Sequence, residues 1–197
     1  MSSFLIILLA CALYGFLHSL LASLWVKERL RRLFGEDFFR WYRLIYNLIV
    51  SLTFVPVLGL LALLPDRTLY VIPFPWVLFT GAVQLVALGV IALGLLQSGL
   101  VAFLGLDALF GRSAAPEKLT LSGLYAWVRH PIYTAGLVFL WLTPVLTQNL
   151  LAFNLGLTIY IFIGAWLEER KLIAQFGEVY RRYQQQVPMF LPYRIPK

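Results

Sequence analysis

The sequence predicts an all-α, polytopic membrane protein with five transmembrane helices. Of its 197 residues, 61% are hydrophobic and 13% are charged, which is about half the charged fraction of a typical soluble domain. A helix needs about twenty apolar residues to cross roughly 30 Å of hydrocarbon. The stretches that qualify or nearly qualify run from Ser3 to Trp25, Leu44 to Leu64, Trp76 to Leu96, Ile132 to Thr147 and Leu150 to Leu167.

The fourth stretch is the shortest, and it leads into the fifth through Thr147-Gln148-Asn149. We therefore expect it to tilt little, to begin inside the interfacial layer, or to turn sharply into the fifth, with which it forms a tight helical hairpin. Pro144 is expected to kink the first arm of this hairpin, because proline removes a backbone hydrogen bond. The first stretch is too long for a cleaved leader and lacks a basic start, which predicts a permanent helix. A single Cys11 excludes an intramolecular disulfide and a cysteine-cluster metal site, and no metal is predicted.

Basic residues concentrate in alternate loops. The loop between the second and third stretches carries only Arg67, and the loop between the fourth and fifth carries none. The basic segments are expected to face the cytoplasm, with the N-terminus outside and the C-terminus inside a plasma or inner membrane. Topology and anionic lipid head groups thus explain the net charge of +7 without a nucleic-acid partner. The basic residues of the segments expected to face the cytoplasm are Lys27, Arg29, Arg31, Arg32, Arg40, Arg43, Arg112, Lys118, Arg129, Arg170, Lys171, Arg181, Arg182, Arg194 and Lys197.

The segment after Glu169 has the pattern of a cytoplasmic amphipathic helix. We expect this tail to lie on the membrane or over the preceding loop, where it would act as a lid. Gly177 is a predicted bend within it, and Pro188 and Pro192 are predicted to end it. The apolar residues at helical spacing are Leu172, Ile173, Phe176, Val179, Tyr180 and Tyr183.

The start of the fourth predicted helix is a candidate binding site. Pro131 suits the first turn of a helix, which places His130 at the cap and Arg129 just outside it. Free backbone donors there, together with these two side chains, would bind a carboxylate or a phosphate. Tyr133 and Gly136 share one helix face and would offer a ring or hydroxyl and room for close approach. The alternative is a snorkelling arginine and a capping histidine that anchor the helix.

Glu168 and Glu169 end the fifth predicted helix, where the helix dipole disfavours negative charge. A nearby cation would stabilise them, and Arg129, Arg170 or Lys171 could supply it. A ligand with both a carboxylate and an ammonium group would instead use both clusters at once. The amino-acid end of S-adenosylmethionine has that pattern.

His18, in the inner half of the first predicted helix, is a candidate catalytic base. A histidine within a membrane helix is costly and is expected to face the helix bundle. The favoured alternative is a hydrogen bond from His18 to a neighbouring carbonyl or to Asn47.

Two groups of residues together resemble a known family. The string from Gly123 to Gly136 contains Arg129-His130-Pro131-Ile132-Tyr133, and Glu168-Glu169-Arg170-Lys171-Leu172 follows it, with Phe176-Gly177, Tyr180 and Tyr183 further on. This combination resembles the C-terminal signature of the isoprenylcysteine carboxyl methyltransferase and phospholipid methyltransferase group. Segments Gly15 to Ser23 and Tyr42 to Asn47 resemble the bacterial branch with NnrU-like proteins and methanethiol S-methyltransferases.

The resemblance implies an integral membrane methyltransferase that uses S-adenosylmethionine. Residues 1–197 would form one membrane domain, with a three-helix part at 1–104 and the cofactor-binding loop, helical hairpin and tail at 105–197. The acceptor would be a hydrophobic or small thiol, carboxylate or amine that arrives from the bilayer or through the helices. The implied cofactor-binding residues are Tyr125, Arg129, His130, Pro131, Tyr133, Gly136, Glu168, Glu169 and Tyr180, and the candidate catalytic residues are His18, Arg129 and Glu169.

Two other classes of protein stay open. Membrane sterol-type reductases bind NADPH and share a similar C-terminal signature, but they usually have an acidic residue where this chain has Leu137. A haem or quinone carrier could use His18 and His130 as axial ligands, because neutral imidazole binds iron. A Rossmann-type cofactor site is excluded, because the sequence has no Gly-x-Gly-x-x-Gly turn after a strand.

Overall fold

The computed structural model describes residues 2–110 and 119–193, and within these ranges the chain is mostly helical. Short 3₁₀ turns cover Leu106–Phe110 and Gly123–Ala126. Arg112, Lys118, Arg194 and Lys197 lie outside the described residues. The regular elements are α1 (Ser3–Ala22), α2 (Leu24–Phe39), α3 (Tyr42–Leu63), β1 (Thr68–Val71), α4 (Trp76–Gln97), α5 (Leu100–Leu104), α6 (Pro131–Trp141), β2 (Val145–Thr147), α7 (Gln148–Phe176) and α8 (Glu178–Gln186).

Four helices, α1, α3, α4 and α7, are long and apolar enough to cross a membrane. The prediction of an all-α membrane protein is thereby confirmed, since the only strands in the described part of the chain are two short ones. Helix α6 is apolar but has 11 residues, which is too short for a spanning helix by itself.

The first predicted helix ends earlier than expected. Helix α1 stops at Ala22, and Ser23 adopts an extended conformation. The Ser23 hydroxyl accepts the Val26 N–H at 3.3 Å, so Ser23 is an N-cap that starts a new helix, α2. This basic segment was expected to be a loop. Gly35, at φ 77°, interrupts the helical backbone within α2.

The predicted fourth helix, Ile132 to Thr147, is also shorter in the structure. Helix α6 ends at Trp141, and the chain continues into strand β2. Pro144 lies beyond the helix end and does not kink it, so that prediction was wrong. A proline disfavours helical geometry in the residue before it, which terminates the helix here. The Pro144 carbonyl accepts the Ile72 N–H at 2.8 Å, next to the pairing of β2 with β1.

The predicted fifth helix, Leu150 to Leu167, is longer in the structure. Helix α7 continues to Phe176, so Glu168 and Glu169 lie within it and not at its C-terminus. These carboxylates therefore lie away from the unfavourable end of the helix dipole, and that part of the prediction was wrong. Gly177 forms the predicted bend, at φ 56°, and helix α8 follows. Tyr180 and Tyr183 are the buried side of this amphipathic helix.

The chain forms two compact units, Met1–Arg67 with Gly99–Glu117 and Gln148–Leu157, and Thr68–Ser98 with Lys118–Thr147 and Thr158–Lys197. In the first unit, Cys11 is buried against Gly156. A Cβ added at Gly156 would lie only 2.6 Å from the Cys11 Cβ. Glycine at position 156 therefore allows close packing, and Cys11 is a small core residue.

The second unit is organised around α4 and α6, which run antiparallel. Gly94 near the end of α4 faces Ile132 at the start of α6, where a Cβ would lie 2.7 Å from the Ile132 Cγ1. At the other end, Gln84 Nε2 donates to the Phe139 carbonyl at 2.9 Å. This packing places the first turn of α6 beside the last turns of α4.

Candidate cofactor site

Residues 187–190, here called the strap, cross the start of α6 in the second unit. Four successive carbonyls of the strap accept hydrogen bonds from residues at the beginning of that helix. The backbone N–H groups of Arg129 and His130 are therefore used by the chain itself and are not among the free donors expected at this helix start. The bonds are Arg129 Nη1 to Val187 O (2.7 Å), Arg129 N to Pro188 O (2.9 Å), His130 N to Met189 O (3.1 Å) and Thr134 Oγ1 to Phe190 O (3.0 Å).

Glu169 lies at the centre of the site, and 11% of its side chain is exposed. Arg129 pairs with it through two parallel hydrogen bonds, a geometry that is stronger and more specific than a single contact. Four side chains donate to this carboxylate among the residues that the structure describes. The donor atoms are Arg129 Nε (2.6 Å) and Nη2 (3.0 Å), His130 Nε2 (3.1 Å), the Tyr180 hydroxyl (3.2 Å) and Gln184 Nε2 (2.5 Å).

Glu168 differs from its neighbour, because 42% of its side chain is exposed. Its Oε2 accepts the Tyr133 hydroxyl at 2.8 Å and lies 3.9 Å from His130 Nδ1. Successive residues on a helix point about 100° apart, so one carboxylate faces inward and the other faces the open side of the site. Glu168 is therefore the carboxylate that a ligand can reach.

His130 caps α6 and Pro131 is its first residue, as predicted. The imidazole stacks on the Tyr133 ring at a centroid distance of 5.3 Å and also packs against the Phe190 ring at 5.7 Å. Only 4% of the His130 side chain is exposed. His130 thus connects buried Glu169, through its Nε2, to Tyr133 on the open side.

Open space adjoins this side of α6 at Gly136, where a Cβ would meet no atom within 4 Å. Tyr125, from the turn before α6, is half-buried, and its carbonyl accepts the Tyr183 hydroxyl at 2.6 Å. Burial raises the pKa of both the Tyr125 and Tyr183 phenols. Burial and the adjacent Glu169 carboxylate raise the pKa of Tyr180 as well. The three phenols therefore stay protonated over the physiological pH range, and those of Tyr180 and Tyr183 donate hydrogen bonds.

An open apolar groove of about 370 Å³ runs along the same unit. The polar hydroxyl of Thr134 is bonded to the His130 and Phe190 carbonyls, so the groove wall is hydrophobic. Its lining includes Val83, Val86, Ala87 and Val90 of α4 and Pro131, Thr134, Ala135 and Val138 of α6.

His18 lies in the first unit. Its Nε2 is 2.8 Å from the Tyr46 hydroxyl, and the two rings meet edge to face. Asn47, the side chain expected as its partner, donates instead to the Phe103 carbonyl at 3.0 Å. A catalytic role of His18 stays a prediction.

Gln184 and the strap were not predicted from the sequence. Gln184 follows Tyr180 by four residues and so shares its helix face, a spacing that could have indicated an inward side chain. The strap acts through backbone carbonyls, which every residue type carries, so no sequence pattern marks it.

The fold and the site define a multi-pass, all-α membrane protein with a buried ion pair and an accessible carboxylate beside a short helix. Methanethiol S-methyltransferase 1 of Bradyrhizobium diazoefficiens is 48% identical over 86 residues, which are 44% of this chain and 30% of that protein. The methanethiol S-methyltransferase of Mycobacterium tuberculosis is 46% identical over 70 residues, 36% of this chain and 29% of that protein. Human protein-S-isoprenylcysteine O-methyltransferase is 37% identical over 80 residues, 39% of this chain and 28% of that protein.

The chain thus spans about a third of the length of the curated relatives that it matches. The resemblance to isoprenylcysteine carboxyl methyltransferases and methanethiol S-methyltransferases is confirmed by these similarities. No family model matches the chain, and no solved structure matches it.

The residues on the open side fit an S-adenosylmethionine-type ligand. The exposed Glu168 carboxylate suits an ammonium group, and the Tyr133 hydroxyl holds that carboxylate in place. The space at Gly136 leaves room for a ligand against the α6 backbone.

Proposed function

We propose that this protein is an integral membrane methyltransferase that uses S-adenosylmethionine to methylate a thiol or carboxylate acceptor. The observation that carries the proposal is the different environment of the two glutamates. Glu169 is neutralised within the protein by Arg129, whereas Glu168 is held by Tyr133 and exposed. A site with one accessible carboxylate suits a cationic ligand, and the relatives are methyltransferases by name.

The cofactor-binding residues fall into two groups in this proposal. Glu168 binds the ammonium group, Tyr133 orients Glu168, and Gly136 and Tyr125 border the ligand. The residues that form the supporting wall are Arg129, His130, Pro131, Glu169 and Tyr180, which are joined by the hydrogen bonds described above. Arg129 and Glu169 contribute to catalysis by keeping the open side in a single geometry, because methyl transfer depends on alignment.

When bound, S-adenosylmethionine supplies a methyl group on a positively charged sulfur. The chain's own contribution is to align the acceptor atom with that methyl group and to exclude water. A thiol is the acceptor class that we favour, because the relatives with the higher identities are methanethiol S-methyltransferases. The apolar groove along α4 and α6 provides a hydrophobic route from the bilayer for such an acceptor.

We also propose five membrane crossings, with the N-terminus outside and the site facing the cytoplasm. Helix α6 accounts for about 17 Å, and the segment 142–147 that follows can cover about 20 Å in extended form. Together they match α4, whose 22 residues measure about 33 Å. The pairing of β1 with β2 supports this proposal, because it brings the start of α4 and the end of this crossing to one side.

The proposal is tested by calorimetric titration of S-adenosylmethionine into the purified protein in detergent. We expect Glu168→Gln to weaken binding about tenfold or more, because it removes a charged partner of the ammonium group. Glu178→Gln is the matched control, since the Glu178 side chain is 78% exposed on α8. Equal affinity in both variants would refute the assignment. Transfer of a labelled methyl group to methanethiol or to an isoprenylated cysteine then identifies the acceptor.

A further inference from the structure

Gln184 occupies a central place in the network behind the candidate site. Its Nε2 donates to Glu169 Oε2 at 2.5 Å, and its backbone carbonyl accepts from Arg129 Nη1 at 3.1 Å. The same Arg129 nitrogen donates to the Val187 carbonyl, which is the first carbonyl of the strap. Gln184 therefore contacts both members of the buried ion pair and precedes the segment that crosses α6.

The two neighbouring glutamines provide a contrast. Gln185 and Gln186 are exposed, whereas Gln184 is partly buried and faces the ion pair. Tyr180, four residues earlier, also donates to Glu169. Residues four apart lie on one helix face, so the inner face of α8 supplies two donors to this carboxylate.

We propose that Gln184 is a positioning residue that fixes the Glu169 carboxylate and, through Arg129, holds the strap against the start of α6. Its connection to cofactor binding rests on the proposed function. The connection of its side chain to the strap runs through Glu169 and Arg129, by hydrogen bonds that the structure describes. Gln184 acts through other residues.

A continuous series of contacts leads from Gln184 to the open side of the site. Glu169 accepts from Gln184 and also contacts His130 Nε2 at 3.1 Å. The His130 ring stacks on Tyr133, whose hydroxyl holds Glu168 at 2.8 Å. Loss of the Gln184 donor leaves Glu169 Oε2 with Arg129 Nη2 as its remaining described partner. The expected result is a less ordered Glu168, and hence a higher KM for S-adenosylmethionine at a nearly unchanged kcat.

The test compares three variants with the wild type. Gln184→Met removes the donor and keeps a similar shape, and Gln184→Glu replaces the donor by an acceptor that faces Glu169. Gln186→Glu is the matched control, because it makes the same change at an exposed position on the same helix. Each protein is assayed for KM and kcat, and for hydrogen exchange at the Arg129 and His130 amides that bind the strap carbonyls.

The pH profile separates positioning from a general loss of structure. The neighbouring Glu169 charge raises the pKa of the carboxyl introduced by Gln184→Glu. When this carboxyl is ionised, at higher pH, it repels Glu169, whereas when it is protonated, at lower pH, it donates again. Arg129, His130 and Tyr180 also face Glu169, so the profile is read relative to wild type and Gln186→Glu, in which those groups are unchanged.

We expect Gln184→Met to raise KM about tenfold and to speed exchange at the two amides. Gln184→Glu should do the same at the alkaline end of the profile and recover as the pH is lowered, while Gln186→Glu behaves as wild type. Unchanged exchange in Gln184→Met overturns the proposal, whether or not Gln184→Glu folds. A wild-type protein that transfers no methyl group refutes the proposed function instead, and the exchange result still decides the role of Gln184.

Discussion

Replacing Glu169 by glutamine should destabilise the protein strongly. The Arg129 and Glu169 side chains are each 11% exposed and are joined by hydrogen bonds of 2.6 and 3.0 Å. Glu169→Gln keeps the shape but leaves the guanidinium without its counter-charge in a buried site. Breaking a buried pair on one side costs about 3–5 kcal/mol. For a chain of this size, such a loss lowers Tm by roughly 10 °C.

An exposed ion pair in the same protein gives the matched control. Arg32 Nε and Glu28 Oε1 are 2.8 Å apart, but their side chains are 74% and 51% exposed. Exposed pairs contribute about 0–1 kcal/mol, so Glu28→Gln should leave Tm nearly unchanged. Both pairs join an arginine Nε to a glutamate oxygen, so the comparison contrasts a buried pair and its hydrogen-bond network with an exposed pair.

The measurement is thermal unfolding in detergent, followed by tryptophan fluorescence. A double variant, Arg129→Met with Glu169→Met, should recover much of the stability, because it removes both charges and leaves neither alone. If Glu169→Gln melts within error of Glu28→Gln, the buried pair does not stabilise the protein and the reasoning from burial is refuted.

Two further predictions concern the open side of the site and the membrane topology. Gly136→Leu should fold normally, since a Cβ there meets no atom within 4 Å. It should nevertheless weaken S-adenosylmethionine binding about tenfold, because the leucine side chain occupies the space proposed for the ligand. Gly89→Leu is the control, and equal affinities in the two variants would contradict the placement of the ligand. A cysteine at Arg67 should react with an impermeant thiol reagent added from outside intact cells, whereas one at Lys27 should react only after permeabilisation; the reverse pattern would overturn the proposed orientation.

The long apolar helices were predictable from the sequence, and their ends were less so. Helices α3 and α4 begin and end within two residues of the predicted limits, because hydropathy alone determines them. The end of α1 depends on the Ser23 cap, and the end of α6 depends on its extension into β2. These features arise from local hydrogen bonds and strand pairing, which an apolar run does not reveal.

The sequence predicted which residues form the candidate site, and the structure corrected how they contact one another. Arg129, His130, Tyr133 and the two glutamates come together, as the sequence spacing indicated. The sequence gives no reason to distinguish Glu168 from Glu169, because their different exposure depends on how α7 faces α6 and α8. At the predicted anion site, the backbone N–H groups of Arg129 and His130 donate to strap carbonyls and are not available to a ligand. This contact between two backbone segments depends on tertiary structure.

The separation of Arg129 and Glu169 along the chain has a consequence for biosynthesis. The two residues are 40 positions apart, and the strap carbonyls are made later still. A ribosome therefore produces the arginine well before its counter-charge, and this cation must stay hydrated until the later segments emerge, because an unpaired charge in hydrocarbon is costly. The start of α6 can settle into its final position only after α7 and α8 have been made, so a nascent chain that stalls between them leaves the first turn of α6 without its Glu169 and strap contacts.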